Sequence, residues 1–162
     1  MDRGKLQIYF GSGKGKTTAA LGQAIREASG GKSVIIIQFL KGKQPEQISF
    51  IQRLEPEIKL FRFQRREAAF EELGEKEREE EIMTMKNGLD FAKKVLATGE
   101  CDVLVLDEIL GLLDYGIADV SDIRAVLEEA SDDTEIIFTG IRLCREIMDW
   151  ADRVYQISAL KE

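Results

Sequence analysis

The sequence contains no histidine among its 162 residues. This absence excludes a Ser-His-Asp triad, a histidine general base and any metal site with imidazole ligands. Basic residues are in the minority, since 23 Lys and Arg stand against 30 Asp and Glu, for a net charge of −7. That balance argues against non-specific nucleic-acid binding, which draws on a basic surface. A phosphate-bearing ligand would therefore need a local anion site.

Cysteines and long apolar runs are also scarce. The two cysteines, Cys101 and Cys144, are too few for a disulfide framework, and we expect both to be small buried side chains. No signal peptide and no apolar run of about 18 residues is present, so we expect a cytoplasmic protein that does not contact a membrane. The length fits a single domain over residues 1–162, large enough to bury roughly two-thirds of the surface of the unfolded chain.

Short apolar runs alternate with helical patterns along the chain. Continuous β-branched runs predict buried strands, and apolar residues at three- and four-residue spacing predict helices. The predicted strands cover residues 5–10, 34–39, 58–63, 102–107, 134–139 and 153–157. The predicted helices cover residues 17–29, 45–54, 75–97, 121–130 and 143–151. This alternation predicts an α/β fold of three layers, with a mostly parallel sheet between helices.

A glycine-rich loop follows the first predicted strand. Gly11, Gly13 and Gly15 can adopt backbone angles closed to other residues, so that successive N–H groups turn inward around an anion. The following helix adds its positive N-terminal end, Lys16 adds a charge for the outer phosphates, and the Thr17 hydroxyl can hold Mg²⁺. The candidate nucleotide-binding residues are Gly11, Ser12, Gly13, Lys14, Gly15, Lys16, Thr17 and Thr18.

This loop is shorter than the usual G-x-x-x-x-G-K-[ST] pattern. The pattern places its first glycine at position 10, where this chain has Phe10, and Lys14 is an additional cation inside the loop. The expectation of phosphate binding therefore depends on the context, a strand before the loop and a helix after it.

Two acids, Asp107 and Glu108, follow the apolar run Val-Leu-Val-Leu at 103–106. The carboxyl end of a central strand is where doubly wound sheets bind ligands, so we expect these acids to reach Mg²⁺ held by Thr17. A second acid can also activate water, which leaves an ATPase or kinase using Glu108 open. Lys41, after the second strand, is a candidate for neutralising phosphate or else a solvated loop lysine.

Other charged and aromatic groups have simpler interpretations. Phe61 and Phe63 lie on one side of an extended segment, where composition favours core packing. Arg65 and Arg66 are interpreted as surface charge, and the acidic run at 75–81 as a first helical turn with a solvated face.

Taken together, these motifs resemble the P-loop type of corrinoid adenosyltransferase. The segments that carry the resemblance are residues 11–18, 38–42, 105–108, 139–140 and 145–152. The resemblance implies a P-loop NTPase-like (RecA-like) fold and transfer of the adenosyl group of ATP to the Co(I) of a corrinoid, with release of triphosphate. It further implies Mg²⁺ or Mn²⁺, an electron donor that reduces cobalt, and a homodimer.

The resemblance also implies residue roles. The catalytic residues would be Lys16, Lys41 and Glu108, and the metal ligands Thr17, Asp107 and Glu108. Phe61 and Phe63 would lie near the lower face of the corrinoid and help to remove its lower ligand. The alternatives are a P-loop ATPase or small-molecule kinase using Glu108, and a non-catalytic module that binds ATP and corrinoid.

One departure from the family pattern concerns an arginine. The family often reads Thr-Gly-Arg where this chain reads Thr139-Gly140-Ile141. Arg142 and Arg145 are the candidates to take its place.

Overall fold

A computed structural model describes residues 5–40 and 50–162 of the chain. Within these residues, six strands form one sheet in which every neighbouring pair is parallel. The strands are β1 (Leu6–Phe10), β2 (Val34–Gln38), β3 (Ile58–Arg62), β4 (Val103–Asp107), β5 (Glu135–Gly140) and β6 (Arg153–Gln156). Their order across the sheet is β3-β2-β4-β5-β1-β6. The predicted parallel sheet is confirmed.

Helices connect these strands. They are α1 (Lys16–Ser29), α2 (Glu75–Thr98), α3 (Gly111–Asp114), α4 (Val120–Glu128) and α5 (Arg145–Trp150), with a 3-10 turn at Phe70–Glu72. The predicted helix at 45–54 lies partly outside the described residues, and residues 50–52 are helical. The sequence did not predict α3, because four residues are too few to show helical periodicity. No helix in the described part of the chain has an apolar stretch long enough to cross a membrane.

The helices cover both faces of the sheet, which gives the three predicted layers. On one face, Ala20 and Ala24 of α1 pack over Val34, Val105 and Ile137. The opposite face carries the larger core, formed by the apolar sides of α2 and α4 over the alternate residues of the strands. A central sheet covered on both sides explains the continuous apolar runs of β2 and β4, since neither face meets water.

Local signals define two of the helix ends. Asp119 is the N-cap of α4, where its side chain accepts a hydrogen bond from the Asp122 N–H at 3.0 Å and the Asp122 carboxylate accepts one from the Asp119 N–H at 2.9 Å. This reciprocal pair is a capping box. At the other end of a helix, α2 stops at Gly99, whose φ of +64° is left-handed.

The strand order decides which side chains meet at the carboxyl edge. β5 lies between β1 and β4, so the strand that precedes the glycine-rich loop is not next to the strand that ends in the acids. In this register Gln38 is level with Asp107, and Tyr9 is level with Thr139. Polar residues from four neighbouring strands therefore lie side by side at this edge.

Candidate functional site

The glycine-rich loop connects β1 to α1, as predicted. Gly15 precedes the helix with φ +103°, a left-handed conformation that other residues adopt only with strain. Lys16 is the first helical residue, and its Nζ donates a hydrogen bond to the Gly13 carbonyl at 2.7 Å. Ser12, Lys14 and Thr18 are exposed. The ammonium group of Lys16 thus lies over the loop that is predicted to bind phosphate.

The glycines at the start of the loop allow close packing against a later segment of the chain. A Cβ atom at Gly11 would lie 2.1 Å from the Ile157 carbonyl oxygen, and one at Gly13 would lie 3.0 Å from it. The Gly13 N–H donates to that same carbonyl at 3.0 Å, and the Gly11 N–H donates to Gly140 and Ile141 carbonyls at 3.2 and 3.1 Å. These two amides are therefore bonded to the fold, whereas the sequence predicted that they turn inward toward an anion.

The Asp107 carboxylate lies at the centre of a buried hydrogen-bond network. Its side chain is buried and accepts bonds from three residues on separate elements. The Thr17 hydroxyl donates at 2.9 Å to Oδ1 and 3.2 Å to Oδ2, the Gln38 amide donates to Oδ2 at 3.1 Å, and the Thr139 hydroxyl donates to Oδ1 at 2.6 Å. The structure thus brings the predicted pair Thr17 and Asp107 into direct contact.

Sequence reasoning missed the roles of Gln38 and Thr139. Both are polar residues at the carboxyl ends of strands that are otherwise apolar, Gln38 after Val-Ile-Ile-Ile and Thr139 after Ile-Ile-Phe. A polar side chain that ends such a strand is the signal that could have found them, because a buried polar group requires a partner.

Glu108 directly follows β4 and adopts a left-handed conformation with φ +65°. For a residue with a Cβ atom this conformation is uncommon and strained. Two hydrogen bonds stabilise it: the Glu108 N–H donates to the Thr139 hydroxyl at 2.7 Å, and the Glu108 carbonyl accepts from the Gly111 N–H at 3.0 Å. The chain therefore turns sharply directly after Asp107.

The Glu108 side chain lines an open cleft of about 460 Å³. This cleft, which we call the edge cleft, is formed by Leu40, Glu108, Gly111, Asp114, Tyr115, Ile141 and Arg142. Arg142 thus lies at the cleft, whereas Arg145 is the exposed first residue of α5. Of the two arginines suggested as substitutes for the family arginine, Arg142 is the one that lines this cleft.

The Thr-Gly pair at the end of β5 has a packing explanation as well. A Cβ atom at Gly140 would lie 2.3 Å from the Leu110 Cβ. Leu110 is buried, and its N–H donates to the Thr139 carbonyl at 3.3 Å. Glycine at position 140 therefore lets the segment after Glu108 pack against the end of β5.

The aromatic pair lies at the far side of the sheet. Both rings contact Phe91 of α2: the ring centroid of Phe61 is 4.9 Å from that of Phe91, and the ring centroid of Phe63 is 5.5 Å from it. Phe63 also packs on Gly88, whereas Phe61 is 36% exposed. The edge strand β3 is four strand spacings, about 19 Å, from β1. The structure therefore does not bring this pair next to the glycine-rich loop.

The structure differs from the sequence-based expectations at Glu81 and Cys144, and it does not describe Lys41. Glu81, expected on a solvated face, is 1% exposed and accepts bonds from the Arg65 and Arg66 amides. Cys144 is exposed, so only Cys101 is buried as expected. Lys41 lies outside the described residues.

Arg66 is part of an ion-pair cluster on α2. Its guanidinium pairs with Glu77, Glu80 and Glu81, and its hydrogen bond to Glu80 lowers the pKa of that carboxyl. The cluster ties the segment that follows Phe63 to the helix.

The fold and the site together define a three-layer α/β protein of the P-loop NTPase-like type. The sequence model of the family described as ATP:corrinoid adenosyltransferase BtuR/CobO/CobP matches residues 2–162. The chain belongs to this family, and it is a transferase.

Several curated relatives agree. A corrinoid adenosyltransferase of Escherichia coli (strain K12) is 30% identical over 160 residues, which span 99% of this chain and 79% of that protein. The corrinoid adenosyltransferase CobA of Salmonella typhimurium is 31% identical over the same shares of the two chains. A corrinoid adenosyltransferase of Pseudomonas aeruginosa is 25% identical over 99% of this chain and 77% of its own length. Adenosyl transfer is thus favoured over the ATPase, kinase and non-catalytic alternatives.

Proposed function

We propose that this chain transfers the 5′-deoxyadenosyl group of ATP to the Co(I) of a corrinoid at the carboxyl edge of its sheet. The observation that carries the proposal is the contact of Thr17, in the first turn of α1 after the glycine-rich loop, with Asp107, the last residue of β4. Glu108, the next residue, lines the edge cleft. The loop would hold the triphosphate of ATP, and the adjoining cleft would receive the part of the corrinoid that approaches C5′.

The side chains beside the loop fit a divalent cation. Mg²⁺ prefers oxygen ligands and is usually held by one or two carboxylates together with substrate phosphates and water. Thr17, Asp107 and Glu108 offer a hydroxyl and two carboxylates of this kind. When bound, Mg²⁺ or Mn²⁺ would neutralise charge on the departing triphosphate.

Lysines would supply the remaining positive charge. Lys16 lies over the loop at Gly13, and Lys14 is exposed within it. Both are placed to stabilise negative charge that develops on a leaving triphosphate. The family resemblance implies Lys41 as a third such group.

The proposed chemistry requires no general base. The electron pair of Co(I) forms the Co–C5′ bond, the C5′–O bond breaks, and its electrons leave with the triphosphate. No proton is transferred, which is compatible with a chain without histidine. The protein's contribution is to position the two substrates and to stabilise charge on the leaving group. Reduction of the corrinoid to Co(I) needs a separate electron donor.

Phe61 and Phe63 are proposed to contact the lower face of the corrinoid. The exposed part of Phe61 is available for such a contact. The packing of Phe63 against Gly88 and Phe91 favours a structural role for that ring. A homodimer, a cytoplasmic location and the absence of a nucleic-acid partner are further proposals from the family resemblance and the acidic composition.

Product analysis tests the proposed reaction. The protein is incubated with ATP, Mg²⁺ and chemically reduced cobalamin, and we expect a light-sensitive Co–C product together with triphosphate. Lys16→Ala should lower ATP affinity and turnover together, because contacts to phosphate are lost. Lys94→Ala, which removes an exposed lysine on α2, is the matched control and should leave both unchanged. Formation of ADP without adenosylated corrinoid would refute the proposal.

A further inference from the structure

We propose that Thr139 is a positioning residue that sets the directions of both acids at the carboxyl edge and thereby the divalent-cation dependence of nucleotide binding. The inference rests on the proposed function, in which Thr17, Asp107 and Glu108 hold the cation. It assigns a role to a residue that would contact neither cation nor nucleotide.

The position of Thr139 follows from the strand order. β5 separates β1 from β4, so the last residues of β5 lie between the loop and the acids. The Thr139 side chain is fully buried. A valine has nearly the same shape and would pack in such a place without a polar atom. A buried hydroxyl is favourable only when it is hydrogen-bonded.

Both hydrogen-bonding functions of the hydroxyl are used, and their directions are determined. The Glu108 N–H can only donate, so the Thr139 oxygen accepts this bond of 2.7 Å. The hydroxyl proton then goes to Asp107 Oδ1 at 2.6 Å. One oxygen atom thus connects the side chain of the first acid to the backbone of the second.

Each of these bonds fixes one acid. The bond to Oδ1, with the Gln38 bond to Oδ2, holds the plane of the Asp107 carboxylate facing Thr17. The bond from the Glu108 N–H helps to hold that residue in its strained left-handed conformation. Because the backbone of Glu108 sets where its side chain projects, this bond also places the Glu108 side chain at the edge cleft.

The test compares Thr139→Val with Thr139→Ser. ATP binding is measured by isothermal titration calorimetry with Mg²⁺ and again with EDTA, so the readout does not depend on turnover. Substitution of a residue that supports metal ligands typically weakens metal affinity by roughly 10–100-fold. We expect Thr139→Val to reduce the Mg²⁺-dependent gain in ATP affinity by about tenfold and to leave affinity in EDTA unchanged. Thr139→Ser, which keeps the hydroxyl, should retain the gain.

Thr134→Val is the matched control. Thr134 is also buried and lies just before β5, at the opposite end of the strand, where its hydroxyl is 3.0 Å from that of Ser131. Thr134→Val also replaces a buried hydroxyl by a methyl group, but far from the two acids, and it should leave both affinities unchanged. Thr139→Ala serves as the second hydroxyl-free variant if Thr139→Val does not fold.

The outcomes separate this inference from the proposed function. If the wild type gains no affinity from Mg²⁺, the proposed cation site is wrong and this inference falls with it. If the wild type gains affinity and the hydroxyl-free variants gain as much, the role of Thr139 is refuted while the cation site stands. Equal losses in Thr139→Ser and Thr139→Val would also refute it, because the hydroxyl would then have no effect of its own.

Discussion

Replacement of Gly88 by alanine tests how tightly the aromatic segment after β3 packs on α2. A Cβ atom at Gly88 would lie 2.8 Å from Phe39 Cε1, 2.8 Å from Phe63 Cγ and 2.9 Å from Phe63 Cβ. Contacts this short require at least one aromatic side chain to move. Phe39 is fully buried, so its ring has little room to do so.

Two opposing effects set the change in the free energy of unfolding that Gly88→Ala causes. Alanine in place of glycine inside a helix stabilises it by about 0.8–1 kcal/mol. Overpacking a filled core destabilises a protein by roughly 1–3 kcal/mol. We therefore expect Gly88→Ala to lower the free energy of unfolding by up to about 2 kcal/mol, as a net effect of the two.

Gly22→Ala measures the first effect alone. Gly22 lies within α1, and, apart from its own helical turn, no atom of the described residues would lie within 4 Å of a Cβ atom there. This variant should be more stable than the wild type by about 0.8–1 kcal/mol. The difference between the two variants then isolates the packing cost at Gly88, about 1–3 kcal/mol.

The assay is urea unfolding followed by circular dichroism. A chain of this size also shifts its Tm by about 2–4 °C per kcal/mol, so thermal unfolding gives an independent check. If Gly88→Ala stabilises the protein as much as Gly22→Ala does, Phe63 does not pack on the helix as described. The structural role assigned to that ring would then be wrong.

Two further predictions concern other buried groups. Glu81→Gln should lower the free energy of unfolding by about 1–3 kcal/mol, because the backbone amides of Arg65 and Arg66 lose a charged acceptor. Glu79→Gln, at an exposed position of the same helix, is the control. Equal effects of the two substitutions in urea unfolding would contradict the burial of Glu81. Burial raises the pKa of the Cys101 thiol to about 12, so this group stays protonated in the folded state at pH values where the unfolded chain loses its proton. The free energy of unfolding should therefore fall as the pH rises above about 9. At pH 8 a thiol reagent should modify one cysteine per folded chain, and the second only after unfolding. Rapid modification of both cysteines in the folded protein would refute the burial of Cys101.

Much of the fold was predictable because its signals are local. The short apolar runs at 34–37 and 103–106 are typical of strands buried on both faces, and both strands were predicted within one residue of their ends. The start of α4 is likewise a local feature, because the capping box joins Asp119 and Asp122, three residues apart. The amphipathic pattern of α2 was correct for its apolar residues, but it misplaced Glu81, since the burial of that carboxylate depends on a loop that packs over it.

The candidate site likewise has features that the local sequence predicts and features that depend on the tertiary structure. The sequence by itself determined the loop, its lysine and threonine, the acids that end β4, and the family to which these motifs point, because each lies within one short stretch of chain. Only the tertiary structure decided that β5 lies between β1 and β4, that Thr17 meets Asp107 and that Thr139 lies between the two acids. Strand order and register depend on how whole faces of helices and strands pack, so contacts between residues as far apart as 17, 107 and 139 are not encoded in any local pattern.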